Sequence, residues 1–287
     1  MPTLYVVATP IGNLDDLTPR MRMALESASL IAAEDTRVTQ KLLTVMGISR
    51  PLISNHQHNE EMRAPKIISR MLEENIDIAV TCDAGTPGIS DPGMELVRAA
   101  WQAGVDIVPV SGPSAVITAL SASGFDAREF AFYGFLPREN GDLRKKLHAI
   151  AHGPRVAVAY ESPHRIVNLV EQIAHEISGA NVCVCCDLTK KFEKIERGSA
   201  DEVLNRLNAN PNVEKGEYCV VIDLPEVAQE EQPAQKLSPR HMVMDAVLDG
   251  MSIRDAVKQA QSQGASRQDA YAAGLEIKRW LESQLDE

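Results

Sequence analysis

Five polar loops in the first half of the chain hold the residues whose types and spacing could do chemistry. Each loop follows an apolar run of strand length, and each mixes polar side chains with glycine, proline or charge. They span residues 8–14, 33–37, 54–60, 82–93 and 110–115. Doubly wound α/β sheets bind ligands outside the carboxyl ends of their strands. We therefore expect the five loops to surround one binding site.

The loop at 82–93 is the most informative, because it has three glycines and two prolines in twelve residues. A plain connection between a strand and a helix needs only about 2–6 residues. Glycine lets the main chain approach a ligand closely and leaves backbone polar groups free to bind it. The composition favours recognition of an adenosine-like group by backbone atoms. The alternative is an ordinary surface loop.

Two further loops carry acid–base groups. Residues 33–37 contain Glu34, Asp35 and Arg37, which could orient a hydroxyl group, bind a phosphate or act as a general base. An equally good interpretation is a local ion pair with Thr36 as the N-cap of a helix. Residues 54–60 include His56, His58, Asn59 and Glu60. The two histidines and Glu60 are a possible metal-binding set, but a polar loop that faces the substrate is the favoured interpretation.

The second half has three polar segments at the ends of predicted strands, from which a second domain could close over a ligand. They are residues 159–165, 188–191 and 215–218.

Several common motifs are missing from the sequence. It has no G-x-G-x-x-G after the first strand, no G-x-x-x-x-G-K-[ST], no G-x-S-x-G and no H-E-x-x-H. The usual dinucleotide, P-loop, hydrolase and zinc-protease sites are therefore unsupported.

Apolar runs that alternate with amphipathic segments must position these loops. In the first half this alternation predicts a parallel sheet covered on both faces. In the second half, consecutive strands predict a mixed sheet. The predicted strands are Leu4–Ala8, Leu30–Ala33, Pro51–Ser54, Ile76–Cys82, Val105–Val110, Glu129–Phe135, Arg155–Tyr160, Asn181–Leu188, Phe192–Arg197 and Glu217–Asp223.

Helix starts are predicted where proline occupies a first turn, because its missing N–H costs nothing there. The prolines in question are Pro19, Pro92, Pro113 and Pro163. The capping box Ser199-x-x-Glu202 predicts another helix start. In the tail, Ser238, Ser252 and Ser266 are plausible N-caps of three short helices.

The predicted fold is therefore two α/β domains followed by a small helical appendage. The expected boundaries are 1–124 for the first domain and 125–224 for the second. A polar, proline-bearing linker follows at 225–237, and the helical domain covers 238–287. Positive and negative charges nearly balance in the tail. A DNA-binding helical domain is normally basic, so we favour a small helical appendage that packs against the protein or supports a dimer.

Charge and composition narrow the classes of partner. The chain of 287 residues has 29 Lys and Arg against 40 Asp and Glu, a net charge of −11. This balance argues against a general nucleic-acid binder but allows a local basic patch. Two basic strips are candidates for such a patch, namely Arg138 with Arg144, Lys145 and Lys146, and Lys190 with Lys191, Lys194 and Arg197. Aromatic residues make up 4%, which argues against base-stacking platforms.

The five cysteines are odd in number and predict no disulfide framework. Cys183 and Cys186 form a C-x-x-C, but the surrounding run has the pattern of a buried strand, so core packing is favoured over metal or redox use. No apolar run approaches the ~18 residues of a membrane span, and no signal peptide is visible. We expect a cytoplasmic protein that contacts neither membrane nor DNA.

An ordered set of motifs resembles a known family. The motifs are Thr9–Asn13, Glu34–Arg37, Asp83–Gly93, Gly134–Pro137, Tyr160–Arg165, Leu188–Lys190 and Lys215–Glu217. Together they resemble the tetrapyrrole-methylase-like family, the class III S-adenosylmethionine methyltransferases. The tetrapyrrole branch of that family has a Gly-Asp-Pro signature, which reads Gly85-Thr86-Pro87 here. This departure fits the branch that methylates small-subunit ribosomal RNA, and puts in doubt any carboxylate role at position 86.

The resemblance implies a homodimer with S-adenosylmethionine bound in the cleft between the two domains. It also implies 2′-O-methylation of a cytidine ribose in the decoding region of small-subunit ribosomal RNA, within the assembled 30S subunit. The cofactor residues it implies are Thr9, Pro10, Gly85, Thr86, Pro87, Ile89, Ser114, Ala115, Tyr160, Glu161, Thr189, Gly216 and Glu217. No metal is implied.

For catalysis, we expect Glu34 or Asp35 to take the proton of the hydroxyl group, or Lys190 to assist by its charge. The candidate substrate-binding residues are Arg37, His56, Asn59, Glu60, Arg138, Lys145 and Lys191. Two alternatives stay open. The same scaffold could methylate a tetrapyrrole or a protein, or the protein could be a ribosome assembly factor without catalysis.

Overall fold

The computed structural model describes residues 1–225 and 238–283. These fall into two compact units, Met1–Pro225 and Glu226–Glu287, which we treat separately. The predicted linker at 225–237 lies outside the described residues, apart from Pro225. The first unit contains two α/β sheets and the second contains helices, which confirms the predicted fold class.

The first sheet is wholly parallel, with strand order β3-β2-β4-β1-β5. Its strands are β1 (Thr3–Val7), β2 (Leu30–Ala33), β3 (Leu52–Ser54), β4 (Ile78–Thr81) and β5 (Asp106–Val110). The connecting helices are α1 (Pro19–Ser27), α2 (Thr36–Met46), α3 (Glu60–Glu73) and α4 (Met94–Gln102), and α5 (Ala115–Ser123) follows the sheet.

Alternating side chains of these strands form two cores, one on each face of the sheet. Leu30 and Ala32 pack with α3 and α4, whereas Ile31 packs with α1 and α2. Strands buried on both faces explain the near-continuous apolar runs in the sequence. Because every strand runs in the same direction, all five polar loops emerge at one edge of the sheet.

The second sheet is mixed, with strand order β6-β7-β10-β8-β9. Only β6 and β7 pair in parallel. The strands are β6 (Phe130–Phe135), β7 (Val156–Glu161), β8 (Asn181–Cys186), β9 (Lys194–Ser199) and β10 (Tyr218–Asp223). The helices are α6 (Asn140–Ala151), α7 (Ile166–Glu176) and α8 (Ala200–Asn208). The C-x-x-C lies in β8, with Cys183 buried and Cys186 half-buried.

Several boundaries differ from the sequence-based expectation. Pro19 does open α1, with Thr18 as its N-cap. By contrast, Pro92, Pro113 and Pro163 lie in loops, because α4, α5 and α7 begin two or three residues later. At α4 the reason is the backbone of Gly93, whose φ of 130° is not helical, so the helix begins only at the next residue. Strand β9 also begins two residues later than predicted, which leaves Phe192 in the preceding turn.

The helical unit consists of α9 (Pro239–Leu248), α10 (Ile253–Ser262) and α11 (Arg267–Ser283). The predicted N-cap serines are confirmed, because the hydroxyl groups of Ser238, Ser252 and Ser266 accept hydrogen bonds from the backbone three residues on. Small side chains such as Ala256 and Ala270 fill its core and allow close helix packing. Within the described ranges, 1–225 and 238–283, none of the helices combines the length and apolarity needed to cross a bilayer.

Candidate active site

Two of the polar loops are locked to each other by backbone hydrogen bonds. The N–H of Thr9 donates to the Gly85 carbonyl at 2.8 Å, and the N–H of Gly85 donates back to the Thr9 carbonyl at 3.1 Å. The Thr9 hydroxyl donates to the Cys82 carbonyl at 3.1 Å. Gly85 has a φ of +82°, a conformation that favours glycine. The glycine-rich loop is thereby fixed against the end of β1.

A cavity of about 420 Å³ opens beside this pair of loops and is walled by residues of both sheets. Loops of the first sheet form one side of it, and the ends of β7, β8 and β10 of the second sheet form the other. Nine of the thirteen expected cofactor residues line it: Gly85, Thr86, Ile89, Ser114, Ala115, Tyr160, Glu161, Gly216 and Glu217. Thr9, Pro10, Pro87 and Thr189 are not among the lining residues.

Glu34 lines the cavity and is tied to Asp83 of the glycine-rich loop. The Asp83 N–H donates to Glu34 Oε2 at 3.1 Å, and the Asp35 N–H donates to Asp83 Oδ1 at 3.1 Å. These reciprocal bonds hold the end of β2 beside the end of β4. Burial raises the pKa of both the Glu34 and the Asp83 carboxyl groups.

Asp91 joins Glu34 and Asp83 in a group of three carboxyl groups on the side of the cavity that the first sheet's loops build, and Glu161 and Glu217 line it from the second sheet. Burial, followed by the like charges of Glu34 and Asp83, raises the pKa of Asp91 to about 6. The sequence alone does not mark Asp83 or Asp91 as functional. The available signal was their position, since the two acids flank the glycine-rich stretch of the 82–93 loop.

Asp35 and Arg37 form the local ion pair that was the alternative expectation. Arg37 Nη2 lies 2.6 Å from Asp35 Oδ2, and the Arg37 side chain is exposed. Asp35, rather than Thr36, is the N-cap of α2. The hydrogen bond from the Arg37 side chain lowers the pKa of Asp35 to about 2. Neither residue lines the cavity.

The loop at 54–60 is braced by its own side chains. Asn59 Oδ1 accepts from the His56 N–H at 2.9 Å, and Asn59 Nδ2 lies 3.0 Å from His56 Nε2. Glu60 is buried, and its Oε2 accepts from the Gly93 N–H at 2.8 Å. Glu60 therefore holds the far end of the glycine-rich loop. Within residues 1–225 and 238–283, no group of three or more His, Cys, Asp or Glu side chains could hold a metal ion.

Lys190 lies in the turn at 187–193 that follows β8, and two carboxylates hold its side chain. Its Nζ lies 3.0 Å from Asp187 Oδ1 and 2.8 Å from Glu217 Oε2. Burial lowers the pKa of Lys190, but the two carboxylates outweigh that effect and the pKa is raised. Thr189 has a φ of +67°, and its hydroxyl oxygen is buried without a hydrogen-bond partner. An orphaned buried group of this kind is an available contact for a ligand.

The remaining expected substrate residues are on the surface. Arg138 is exposed after β6. Lys145 pairs with Asp142 at 3.0 Å, and Lys191 Nζ lies 5.6 Å from the centroid of the Phe192 ring. These side chains do not line the cavity, so their role as substrate contacts stays a prediction.

Gly216 gives a test of the cavity wall. A β-carbon there would lie 2.6 Å from Asp187 Oδ2 and 2.9 Å from Cys186 Sγ, at a φ of +89°. Gly216→Ala is therefore expected to displace Asp187 and to weaken binding of a ligand in the cavity by at least about tenfold, which corresponds to ~1.4 kcal/mol. Calorimetric titration of the ligand measures this.

Gly179→Ala is the matched control for that substitution. Gly179 has a similar φ of +81°, but a β-carbon there would meet only Pro225 at 3.8 Å, an ordinary contact. The backbone strain, about 1–2 kcal/mol, is common to both variants. Equal losses of binding in the two would show that strain, and not the contact with Asp187, is responsible.

Comparison with known proteins identifies the family. Residues 3–204 match the model of the Tetrapyrrole (Corrin/Porphyrin) Methylases. The protein named "Ribosomal RNA small subunit methyltransferase I" in Xylella fastidiosa is 39% identical over 94% of this chain and 97% of its own length. The protein of the same name in Bacillus subtilis is 39% identical over 95% and 94%.

A solved structure, that of the methyltransferase CobJ, shares the fold with a TM-score of 0.57 at 19% identity. The likeness covers 78% of this chain and 95% of that one. The residues matched by the family model, 3–204, contain the whole first sheet with its five polar loops and strands β6 to β9 of the second sheet. The chain therefore belongs to the tetrapyrrole methylase family of methyltransferases, in the group of its relatives named ribosomal RNA small subunit methyltransferase I.

Proposed function

We propose that the protein transfers a methyl group from S-adenosylmethionine to the ribose 2′-oxygen of a cytidine in the decoding region of small-subunit ribosomal RNA. We further propose that it does so as a cytoplasmic homodimer acting on the assembled 30S subunit. Relatives with the ribosomal name support the RNA substrate. The observation that carries the chemistry is the group of three carboxyl groups, Glu34, Asp83 and Asp91, on the wall of a cavity that both domains build.

The residues around the cavity fit S-adenosylmethionine. A volume of about 420 Å³ falls in the range of ~300–1,000 Å³ that small-molecule sites occupy. Glycine-rich backbone lets a nucleoside approach the cavity wall closely. We propose as cofactor contacts the nine lining residues, with Thr9, Pro10, Pro87 and Thr189 supporting them from behind. When bound, the cofactor supplies an activated sulfonium methyl group.

The protein itself must position the ribose and accept a proton. Precise alignment alone can supply up to ~7–11 kcal/mol of the barrier. Asp91, with a pKa of about 6, is ionised at neutral pH yet remains a better base than an ordinary carboxylate. Glu34 is the neighbouring alternative. The geometry favours both over Asp35, which Arg37 neutralises outside the cavity.

Lys190 takes a positioning role in this proposal. Its two ion pairs join the turn at 187–193 to the start of β10, so that Glu217 and Gly216 are held at the cavity wall. The exposed cations Arg37, Arg138, Lys145 and Lys191 remain proposed RNA contacts. His56 and Asn59 shape the loop beside Glu34, and Glu60 orders the glycine-rich loop.

Mass mapping of ribose methylation tests the proposal. Small-subunit RNA from cells without the protein is incubated with S-adenosylmethionine and the purified protein, both as assembled 30S subunits and as free RNA. We expect one new 2′-O-methylcytidine in the decoding region, formed with subunits and not with free RNA. Methylation of a base or of a ribosomal protein, or of a porphyrin precursor supplied in a parallel incubation, would contradict the proposed acceptor. Cofactor binding without any methylation would favour an assembly factor.

A further inference from the structure

A second cavity, of about 400 Å³, lies in the second domain on the other face of its sheet. Along β8, Cys185 lines the first cavity whereas Val184 lines the second, because successive side chains of a strand point to opposite faces. The floor of the second cavity is apolar and is made by Val184, Leu207 and Tyr218. Its rim is polar and consists of Asp187, Lys194, Glu196, Asn210, Asn212 and Lys215. We call this the outer cavity.

Phe192 stands at the edge of the outer cavity with 76% of its surface exposed. The turn that carries it is rigidly held, because Lys190 is paired with Asp187 and Glu217, and Glu193 accepts from the Thr189 N–H. Asp187 and Thr189 both have positive φ, at 51° and 67°. Strained non-glycine residues concentrate at functional sites. The turn that exposes the Phe192 ring therefore contains two residues whose backbone conformation costs free energy.

Most of the carboxylates around this ring already have a cationic partner, and the carboxylate of Glu193 accepts the Thr189 N–H. Glu196 contacts Lys194 and Arg206, and Asp187 and Glu217 contact Lys190. Within the described part of the chain, Lys191 and Lys215 have no carboxylate at ion-pair distance. Lys191 lies over the Phe192 ring, and Lys215 Nζ donates to Asn212 Oδ1 at 3.0 Å.

An exposed ring flanked by unpaired cations is complementary to an unstacked nucleotide. Nucleobases stack on aromatic side chains, and phosphates pair with lysine. We propose that Phe192 and the outer cavity form a second contact for single-stranded RNA, in which a base stacks on the Phe192 ring while Lys191 and Lys215 neutralise the adjoining phosphates. This proposal rests on the RNA substrate proposed above. It also revises the expectation from the low aromatic content, since one well-placed ring is sufficient.

Phe192→Ala in the full-length protein tests the proposal. Binding of 30S subunits, taken from cells without the protein, is expected to weaken about 10- to 100-fold, the range of base stacking on an aromatic ring. The rate at saturating subunit and the affinity for S-adenosylmethionine should stay unchanged, and Phe192→Tyr should restore binding. Lys215→Ala should lower the slope of log affinity against log salt by about one.

Trp101→Ala is the matched control, because Trp101 is a similarly exposed aromatic residue, at 70%, on α4 beside the first sheet. Its removal should leave the affinity for 30S subunits unchanged. Subunit affinity within twofold of wild type in Phe192→Ala would overturn the proposal. So would conversion of a dimer to monomers by Phe192→Ala in sizing chromatography, since the outer cavity would then bind a second copy of the chain. Filter binding reports on RNA contact even without turnover. A wild type that binds subunits but methylates no RNA would therefore count against the proposed function and not against this contact.

Discussion

Asp91→Asn is expected to lower the rate of methyl transfer at pH 7.5 by about 10²- to 10⁴-fold, the usual contribution of a general base. The variant keeps the size and polarity of the side chain, so the affinity for S-adenosylmethionine should change little. Because Asp91 must be ionised to accept a proton, the wild-type rate should rise with pH through about 6 and level off above 7. Single-turnover rates between pH 5 and 8.5 measure this profile.

Glu34→Gln distinguishes the two candidate bases. The negative charge of Glu34 helps to raise the pKa of Asp91. If Asp91 is the base, removing that charge should move the midpoint of the pH profile below 6 and leave substantial activity above it. If Glu34 is the base, activity should disappear at every pH. Asp35→Asn is the control, because Asp35 is paired with Arg37 outside the cavity. Full loss of activity in Asp35→Asn alone would contradict the assignment.

The same carboxyl group should make stability depend on pH in an unusual direction. The folded state binds the Asp91 proton more tightly than the unfolded state, whose aspartate has an ordinary pKa. Stability from this group is therefore present at low pH and is lost as pH rises through about 6. Asp91 is only partly buried, so solvent screening reduces the effect of its raised pKa on stability. Asp91→Asn should therefore raise Tm at pH 8 by about 2–4 °C, ~1 kcal/mol for a chain of this size, and should have no such effect at pH 4. A catalytic group held at a cost to stability has this signature.

The sequence was enough to predict the two sheets because each relies on local patterns. Runs such as Leu30–Ala33 have the length and the continuous apolar pattern of strands buried on both faces, and the order of strands and helices left few topologies. The loops that follow parallel strands all lie at the same edge of the sheet, so the position of the site could be predicted from the strand pattern. Even the ion pair of Asp35 with Arg37 was visible as an alternative, because the two residues are neighbours in the chain.

Properties that depend on distant residues could not be predicted in this way. The raised pKa of Asp91 arises from burial and from Glu34 and Asp83, which only folding brings close. The exposure of Phe192 depends on β9 beginning at Lys194, a shift of two residues that apolar periodicity does not resolve. The role of Glu60 was likewise hidden, because its partner Gly93 is 33 residues away.

Glu60→Ala is the second large effect that we expect. Gly93 abuts Pro87 and Gly88, and the Gly88 N–H donates to the Pro92 carbonyl at 3.2 Å, so that the loop closes on itself where Glu60 holds it. A buried hydrogen bond to a charged group contributes about 1.5–3 kcal/mol. Without it, cofactor binding must supply the free energy that orders the loop. The dissociation constant for S-adenosylmethionine should then rise about 10- to 150-fold, as calorimetric titration would show.

Two variants distinguish the hydrogen bond between Glu60 and Gly93 from a direct contact of Glu60 with the substrate. Glu60→Gln keeps an acceptor oxygen for the Gly93 N–H and should recover most of the cofactor affinity, whereas Glu61→Ala, one residue along on the exposed face of α3, should leave it unchanged. If instead Glu60→Ala raises KM for the 30S subunit and leaves cofactor affinity intact, then Glu60 contacts the RNA, as the sequence alone predicted. If Glu60 only holds the loop, Glu60→Ala changes the dissociation constant for S-adenosylmethionine and leaves KM for the 30S subunit unchanged. One buried carboxylate on α3 then sets the order of the loop that carries Gly85 and Asp91, and so couples cofactor binding to the placement of the proton acceptor.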